Sequence, residues 1–255
     1  MNYQMHHNIC VWMETAAKNL RESLKRDLHV EEKRNARDLV TEMDRQTEAF
    51  FVDKIQSTYP DHRIVGEEGT GQNIEDTKGI IWVIDPIDGT MNFVKQKNYF
   101  GIMIAIYQDG LPQAGYIYNV MAEDLYYGIM GEGAYLNHQP LIPHPISSLS
   151  NGLICGNVDM FMANRNKVQK VAEASLGARS YGAAALEIIG VIRGEIAAYV
   201  SSGLNPWDFG AGNVICQSMG FKMTDLQGQD VDILTKTPVV FAPAHIHEEI
   251  ISILK

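Results

Sequence analysis

Two carboxylates stand three residues apart at the end of an apolar stretch, in the segment Trp82-Val83-Ile84-Asp85-Pro86-Ile87-Asp88-Gly89-Thr90. Pro86 lacks the N–H that a sheet ladder uses and is expected to end a strand, and Gly89-Thr90 is expected to begin a helix. Carboxylate oxygens are the ligands that Mg²⁺ prefers, and the free N–H groups at the start of a helix bind anions. The segment therefore predicts a divalent cation beside a phosphate.

Further acidic residues are expected at strand ends or turns, namely Glu67 with Glu68 and, much later in the chain, Asp208. Taken alone, each has an ordinary explanation. Glu67-Glu68 fits a pair of solvated loop charges, and Asp208 fits a negative charge in the first turn of a helix. Asp85 is harder to explain in this way, because a lone carboxylate at the end of a buried strand is costly without a partner or a metal.

The composition is that of a folded acidic protein. Its 255 residues are 45% apolar and 20% charged with a net charge of −10, which suits one large domain or two packed halves. Nucleic-acid binding needs clustered Lys and Arg, and the cluster at Lys33-Arg34 and Arg37 is offset by neighbouring acids. An acidic protein that handles phosphate esters needs metal ions to neutralise its substrate.

The sequence predicts a cytoplasmic protein without membrane contact. No run approaches the ~20 apolar residues of a spanning helix, and the N-terminus lacks the basic and apolar regions of a secretory signal. His6-His7 is expected to belong to a disordered tail. Cys10, Cys155 and Cys216 lack the Cys/His spacing of a zinc site and are expected to be buried free thiols in a reducing compartment.

Hydrophobic periodicity predicts alternating helices and strands. Helices are expected over 8–28, 41–57, 160–175 and 183–193, from Trp207 and from His245. Strands are expected over 64–65, 80–84, 100–107, 113–119, 126–130, 134–136, 153–156, 178–180, 197–201 and 221–224. Glycine turns between the earlier strands indicate antiparallel meanders, and residues 71–79 are expected to form a mobile polar loop. The chain is thus predicted to be α/β, with a seam near residue 140.

Three segments carry a more specific resemblance: Gly66-Glu67-Glu68, Trp82–Phe93 and Trp207–Gly212. They resemble the signature motifs of the inositol monophosphatase family, a group of Mg²⁺-dependent, lithium-sensitive phosphatases. Other family elements are resembled by Asp38–Thr41 with Asp44 and by Arg179–Ala184. The resemblance implies an α/β (α+β) fold, a layered αβαβα sandwich similar to that of fructose bisphosphatases. Residues 1–140 would form one half, with the first two motifs, and residues 141–255 the other.

The same resemblance implies a set of metal ligands. Glu67, Asp85 and the backbone carbonyl of Ile87 would bind one Mg²⁺. A second Mg²⁺ would be bound by Asp85, Asp88 and Asp208. Glu67 would also help to hold a weaker third ion, and Mn²⁺ or Ca²⁺ would be able to occupy these sites.

The resemblance further implies residues for water and substrate. Asp44 and Thr90 would position the attacking water, with Glu67 also counted among the catalytic residues. The phosphate would be received by N–H groups around Gly89 and Thr90, beside Asp88 and Asp208. The alcohol side of the substrate would be lined by Gly182, Ala183 and Ala184. This arrangement suits phosphoryl transfer, which depends on in-line positioning and on neutralising charge.

Substrate identity is implied less firmly. Family members that prefer inositol usually carry an acidic residue shortly before the Trp-Asp pair, and the matching residue here is Ser201. Losing a charged acceptor weakens a polyol contact by about 1.5–3 kcal/mol. Inositol monophosphate or a similar polyol or sugar phosphate remains the leading hypothesis. The alternatives are the 2′-phosphate of NADP(H) and fructose 1,6-bisphosphate. A non-catalytic binding protein is disfavoured, because the motif residues are all present together.

Two residues near the expected pocket have two interpretations each. Tyr181 could face a nucleobase, but a packing role is the more frequent one for such a ring. Lys33 lies near where family members carry a lysine that approaches the phosphate, and a solvated surface lysine fits equally well. The resemblance also implies a homodimer with an active site in each subunit, and inhibition by lithium.

Overall fold

The computed structural model describes residues 2–32, 39–69, 71 and 74–255. Over these residues the α-helices are α1 Tyr3–Ser23, α2 Glu42–Thr58, α3 Thr90–Gln96, α4 Val158–Met162, α5 Val168–Glu173, α6 Ala184–Arg193, α7 Pro206–Ser218 and α8 Ala244–Leu254. The strands are β1 Val30–Glu32, β2 Leu39–Thr41, β3 Arg63–Gly66, β4 Ile80–Asp88, β5 Gly101–Gln108, β6 Leu111–Asn119, β7 Asp124–Ile129, β8 Gly133–Leu136, β9 Gln139–Pro140, β10 Ile154–Gly156, β11 Ala178–Arg179, β12 Ala198–Leu204, β13 Phe221–Thr224 and β14 Thr237–Pro243.

The larger sheet contains β3 to β9 in chain order. Strand β3 pairs with β4 in parallel, and every later neighbour pairs antiparallel. The predicted meander is therefore confirmed. Its tight turns use left-handed backbone, as at Asp109 and Gly110, where φ is +51° and +80°. Strands β1 and β2 form a separate antiparallel pair.

The second sheet has the order β11-β10-β12-β14-β13. Strand β10 lies parallel to both β11 and β12, while β14 runs antiparallel to β12 and β13. The sequence analysis did not predict β14, although it is a central strand. Pro238 and Pro243 flank its apolar residues, and prolines argue against a central strand when only the sequence is available.

Helices cover both outer faces of the two sheets and fill the space between them. Alternate residues of β4 point to opposite faces, so Val83 joins the core shared with α6 and α7, and Trp82 joins the core shared with α1 and α2. The core between the sheets also contains Phe241 of β14. Beyond the second sheet, α5 and α8 pack together around residues such as Ile246. The five-layer αβαβα sandwich is thus confirmed.

The first helix corrects two expectations. Helix α1 begins at Tyr3, because the Asn2 side chain accepts a hydrogen bond from the Met5 N–H at 2.9 Å and caps the helix. His6-His7 is therefore helical, and the prediction of a disordered tail is wrong. The helix also ends at Ser23, short of the predicted residue 28. None of the helices in the described ranges combines the length and apolar character needed to cross a membrane.

Two further expectations about local structure are wrong. Pro86 does not end its strand: β4 continues to Asp88, and its pairing with β5 shifts register between Asp85 and Asp88. Such an irregularity accommodates a proline, which has no N–H to give. The predicted helix 160–175 is broken between α4 and α5, where Asn164 and Asn166 adopt left-handed backbone with φ of 46° and 56°. Asparagine tolerates this conformation better than most residues.

The remaining expectations on organisation have mixed outcomes. Cys155 and Cys216 are buried free thiols as predicted, but Cys10 is only partly buried. Lys33 and Asp38 lie outside the described residues. The division into halves at residue 140 and the mobility of the 71–79 loop stay predictions.

Candidate metal and phosphate site

The register shift in β4 brings two carboxylates to one side of the strand. In a regular strand, residues three apart point to opposite faces. The irregularity between Asp85 and Asp88 removes that opposition, and both side chains are buried. Asp85 is held by the Ile87 N–H, which donates to its Oδ1 at 3.1 Å.

Asp208 reaches the same point from the second half of the chain. Helix α7 begins at Pro206, and the Asp208 carboxylate accepts the Asn205 N–H at 2.8 Å, closing a capping box. Because α7 packs between the sheets, its first turn meets the end of β4. One carboxylate oxygen each from Asp85, Asp88 and Asp208 lie within 4.8 Å of one another. Asp208 therefore caps the start of α7 and also belongs to the acidic cluster.

Glu67 completes this acidic cluster from the loop after β3. Its side chain is half-buried and hydrogen-bonds to that of Asp85. A residue that the sequence analysis missed shapes this loop: Glu48, fully buried on α2, accepts the Glu68 N–H at 2.8 Å. A Cβ at Gly66 would lie 2.5 Å from the carboxyl carbon of Glu48, so only glycine fits there. The sequence signal that could have identified Glu48 is a glutamate at a position on the apolar side of a predicted helix.

The predicted pair of Asp44 and Thr90 is brought together. The Thr90 hydroxyl lies 2.8 Å from Asp44 Oδ1 and 3.1 Å from the carbonyl oxygen of Ile87. The other Asp44 oxygen accepts the N–H and the hydroxyl of Thr41 at 2.8 and 2.7 Å. Asp44 thus caps α2 and fixes the Thr90 side chain at once.

Gly89 permits close contact between the start of α3 and the turn before α6. It caps α3 with a left-handed φ of +88°, and a Cβ there would lie 2.8 Å from the Ala183 Cβ. Nearby, the Ala185 N–H donates to Asp88 Oδ2 at 2.6 Å. The turn that contains Gly182, Ala183 and Ala184 therefore lies directly against the acidic cluster, at the start of α6.

Two further residues that the sequence analysis missed hold this turn. Glu187 accepts the N–H groups of Tyr181 and Gly182 at 2.7 and 3.3 Å. Asn92 donates to the carbonyls of Tyr181 and Tyr99 at 2.8 and 2.9 Å. Neither contact has a sequence signal beyond a polar residue among apolar neighbours.

The structure also locates Tyr181 and Ser201. Tyr181 is 39% exposed, and its role, in packing or in substrate contact, stays a prediction. Ser201 is buried in β12, where its hydroxyl accepts the Gly203 N–H at 3.4 Å. A part for Ser201 in substrate binding stays a prediction.

Burial and mutual repulsion raise the pKa values of the carboxyls in this acidic cluster. Burial raises the pKa of Asp85 well above its ordinary value, and nearby carboxylates, Glu67 first, add to the effect. Burial and then the charge of Asp208 raise the pKa of Asp88 to about 8, although backbone N–H groups oppose the rise. Without cations Asp88 retains its proton at neutral pH. Divalent cations would replace the protons, and an all-oxygen donor set fits Mg²⁺.

A site that gathers acidic oxygens around a space for cations, with a helix start beside it, can neutralise and orient a phosphate ester. That is the work of a metal-dependent phosphatase. The model of the inositol monophosphatase family matches residues 5–255, and the chain belongs to this family.

Two similar proteins support the phosphatase chemistry and the family assignment. The inositol-1-monophosphatase of Bacillus subtilis is 40% identical over 243 residues, which are 94% of this chain and 92% of that protein. The fructose-1,6-bisphosphatase/inositol-1-monophosphatase of Thermotoga maritima is 30% identical over 227 residues, or 89% and 86% of the two chains.

Solved structures agree with the fold. An IMPase/NADP phosphatase complexed with Mg²⁺ and phosphate matches with a TM-score of 0.90 and 31% identity, over 98% of this chain and 94% of that one. A staphylococcal inositol monophosphatase-1, solved as a LiCl-soaked inhibitory complex, matches with a TM-score of 0.91 and 30% identity, over the same shares. The predicted family and fold are confirmed.

Proposed function

We propose that this chain is a Mg²⁺-dependent phosphomonoesterase acting on inositol monophosphate or a similar polyol or sugar phosphate. The observation that carries the proposal is the convergence of the Asp85, Asp88 and Asp208 oxygens within 4.8 Å. The family to which the chain belongs, and the relatives named for inositol monophosphatase activity, support the substrate class.

The proposed metal ligands come from three parts of the chain. Glu67, Asp85 and the Ile87 carbonyl would hold one Mg²⁺, and Asp85, Asp88 and Asp208 the other. The raised pKa values of Asp85 and Asp88, which burial causes first and neighbouring carboxylates increase, support this assignment because crowded buried carboxyls ionise more easily beside a divalent cation. When bound, two such ions activate water at neutral pH and stabilise the leaving oxygen. Glu67 would also help to hold a weaker third ion.

Thr90 and Asp44 are proposed to orient the attacking water. Because Thr90 donates its proton to Asp44, the hydroxyl oxygen of Thr90 is left to accept a hydrogen bond from the water. A proton that leaves the water would pass to Thr90 as Thr90 gives its own to Asp44. Asp44 is fully buried, so it acts through Thr90 and does not contact the substrate.

The phosphate and the alcohol would bind to neighbouring groups beside the acidic cluster. N–H groups of Gly89 and Thr90 at the start of α3 would receive the phosphate oxygens, beside Asp88. The turn at 182–184 would contact the alcohol. Its hydrogen bond from Ala185 to Asp88 supports this placement, because it sets the distance between the turn and the cluster.

A second candidate substrate is the 2′-phosphate of NADP(H). The exposed ring of Tyr181, adjacent to the same turn, could stack on a nucleobase. A structural neighbour at 31% identity is named an IMPase/NADP phosphatase. Fructose 1,6-bisphosphate has the support of the Thermotoga maritima relative's name.

A panel of substrates tests the proposal. Phosphate release is measured with inositol 1-phosphate, NADP and fructose 1,6-bisphosphate, each with Mg²⁺ and with EDTA. We expect the highest kcat/KM for inositol 1-phosphate and loss of every activity in EDTA. If activity were highest on NADP, and Tyr181→Ala lowered the activity on NADP but not on the other two substrates, NADP would replace inositol 1-phosphate as the proposed substrate. Release that EDTA leaves unchanged would overturn the proposed chemistry.

Three further properties are proposed. A homodimer with one active site per subunit follows from the family resemblance, and light scattering measures it. Lithium inhibition is supported by the LiCl-soaked complex of a staphylococcal neighbour. A cytoplasmic location is supported by the buried free thiols Cys155 and Cys216, which suit a reducing compartment.

A further inference from the structure

A second group of metal-ligating side chains lies at the far side of the larger sheet, and we call it the His–Cys–His cluster: His6, Cys10 and His138. His6 and Cys10 are four residues apart on α1 and thus share one face of the helix. His138 comes from the turn between β8 and β9, in a left-handed conformation with φ of +67°. One nitrogen of each histidine and the Cys10 sulfur lie within 4.8 Å of one another.

The separation of Cys10 and His6 is close to the sulfur–nitrogen distance around a tetrahedral zinc ion. A Zn–S bond of 2.3 Å and a Zn–N bond of about 2.05 Å, at the tetrahedral angle, place sulfur and nitrogen about 3.6 Å apart. The observed distances from Cys10 Sγ are 3.7 Å to His6 Nε2 and 3.9 Å to His6 Nδ1, so the His6 ring would turn to direct Nε2 at an ion shared with the sulfur. Two imidazoles and a thiolate form a donor set that suits Zn²⁺ and not Mg²⁺.

One nitrogen of each imidazole, Nδ1, lies beside a tyrosine hydroxyl. The Tyr116 hydroxyl lies 3.0 Å from His6 Nδ1, and the Tyr127 hydroxyl lies 3.3 Å from His138 Nδ1. With a metal at Nε2, each Nδ1–H would donate to its tyrosine oxygen. Histidine ligands of metals nearly always have such a partner on the other nitrogen, which fixes the tautomer and the ring orientation.

The tyrosines that make these contacts are rigidly placed. Tyr116 and Tyr127 are buried neighbours on β6 and β7, and their rings stack at 5.8 Å with an interplanar angle of 23°. Tyr127 also stacks on Tyr135 at 5.0 Å. The His–Cys–His cluster therefore packs against stacked tyrosine rings. His138 is exposed to solvent.

Burial also sets the protonation of the helix residues. It lowers the pKa of His6, so this imidazole is neutral and ready to bind a metal at pH 7. It raises the pKa of Cys10 to about 11, so binding would release the thiol proton.

We propose that His6, Cys10 and His138 bind one Zn²⁺, with a water as the fourth ligand. The ion would join α1 to the β8–β9 turn, two elements that are distant in sequence. The competing explanation is an ordinary aromatic cluster in which the Cys10 thiol donates to His6. The two explanations differ in whether a thiolate–metal bond forms.

Cobalt substitution tests the proposal, because Co²⁺ bound to a thiolate gives a charge-transfer absorption in the near ultraviolet. The proposed phosphatase site contains only oxygen ligands, so it contributes no such band. Wild-type protein titrated with Co²⁺ in saturating Mg²⁺ should develop the band at one equivalent. Zn²⁺ should then abolish it, and elemental analysis after dialysis should find one Zn²⁺ per chain.

Matched variants decide between the explanations. Cys10→Ser should remove the band, and His138→Ala, an exposed change with little risk to folding, should weaken Zn²⁺ binding at least tenfold. The control His7→Ala alters an exposed neighbour on the same helix and should retain full binding. Asp88→Asn should also retain the band, which separates this site from the phosphatase site. No band in the wild type, or a band that persists in Cys10→Ser, would overturn the proposal.

Discussion

The Asp88→Asn substitution should stabilise the protein without metal and weaken its response to Mg²⁺. Asp88 is buried, and burial together with the Asp208 charge raises its pKa to about 8 from the ordinary 3.8. At pH 7 the unfolded chain releases a proton that the folded chain keeps. Keeping this proton therefore lowers the free energy of unfolding by about 1.4 kcal/mol for each pH unit between the ordinary pKa and pH 7. Over about three units the cost is about 4 kcal/mol.

Asparagine removes most of this cost. Its amide oxygen can still accept the Ala185 N–H that now reaches Asp88 at 2.6 Å, but it remains a buried polar group. A gain of about half, ~2 kcal/mol, corresponds to a rise in Tm of about 4–8 °C for a chain of this size. In Mg²⁺ the order should reverse. The wild type gains about 2.7 kcal/mol at a hundredfold excess over Kd, and the variant lacks a ligand.

The assay is thermal unfolding of both proteins at pH 7, in EDTA and in a Mg²⁺ titration. Asp53→Asn, the same chemical change on the exposed side of α2, is the control and should leave both Tm values within about 1 °C. The reasoning is refuted if Asp88→Asn unfolds below the wild type in EDTA, or if Mg²⁺ raises both Tm values equally.

Other predictions concern the same site. Thr90→Ala should lower kcat by about 10²–10⁴ with little change in Tm, and Thr90→Ser should recover most of the loss; an unchanged kcat would exclude the water-positioning role. Gly89→Ala should cost about 1–3 kcal/mol in urea unfolding, because its φ is +88° and its Cβ would lie 2.8 Å from that of Ala183; a neutral result would contradict this. Glu187→Gln should raise KM more than it lowers kcat, since Glu187 holds the substrate turn; the reverse split would count against it. In EDTA, wild-type stability should fall as pH rises from about 4 to about 8 and level off above it, because the folded Asp88 keeps its proton up to about 8; a rise over that range would contradict the raised pKa.

The sequence was most informative where chemistry restricts residue type. Asp85, with Asp88 three residues on, could be singled out because a carboxylate at the end of a buried strand needs a reason, whereas Asp208 had an ordinary explanation and was assigned through the family resemblance. The α/β class was predictable from the periodicity of helices and strands, and the layered sandwich from the family resemblance. The three carboxylates converge because β4 shifts register after Asp85 and because α7 lies between the sheets. Neither of these features follows from local sequence.

Residues that act through backbone contacts were beyond prediction. Glu48 and Glu187 read as polar residues on helices, and only the folded chain shows that their carboxylates hold the loops at Glu68 and Tyr181. Strand β14 was hidden by its prolines. The His–Cys–His cluster was hidden because His138 is distant in sequence from α1, and spacing rules detect only neighbouring ligands.

Anomalous diffraction from a crystal grown with Mn²⁺ and phosphate tests the central claim most directly. Mn²⁺ stands in for Mg²⁺ and can be located without reference to activity. The account predicts at least two peaks with oxygens of Glu67, Asp85, Asp88 and Asp208 at about 2.2 Å, and a phosphate between them and the start of α3. An absence of peaks at these carboxylates, or a phosphate bound elsewhere, would contradict it.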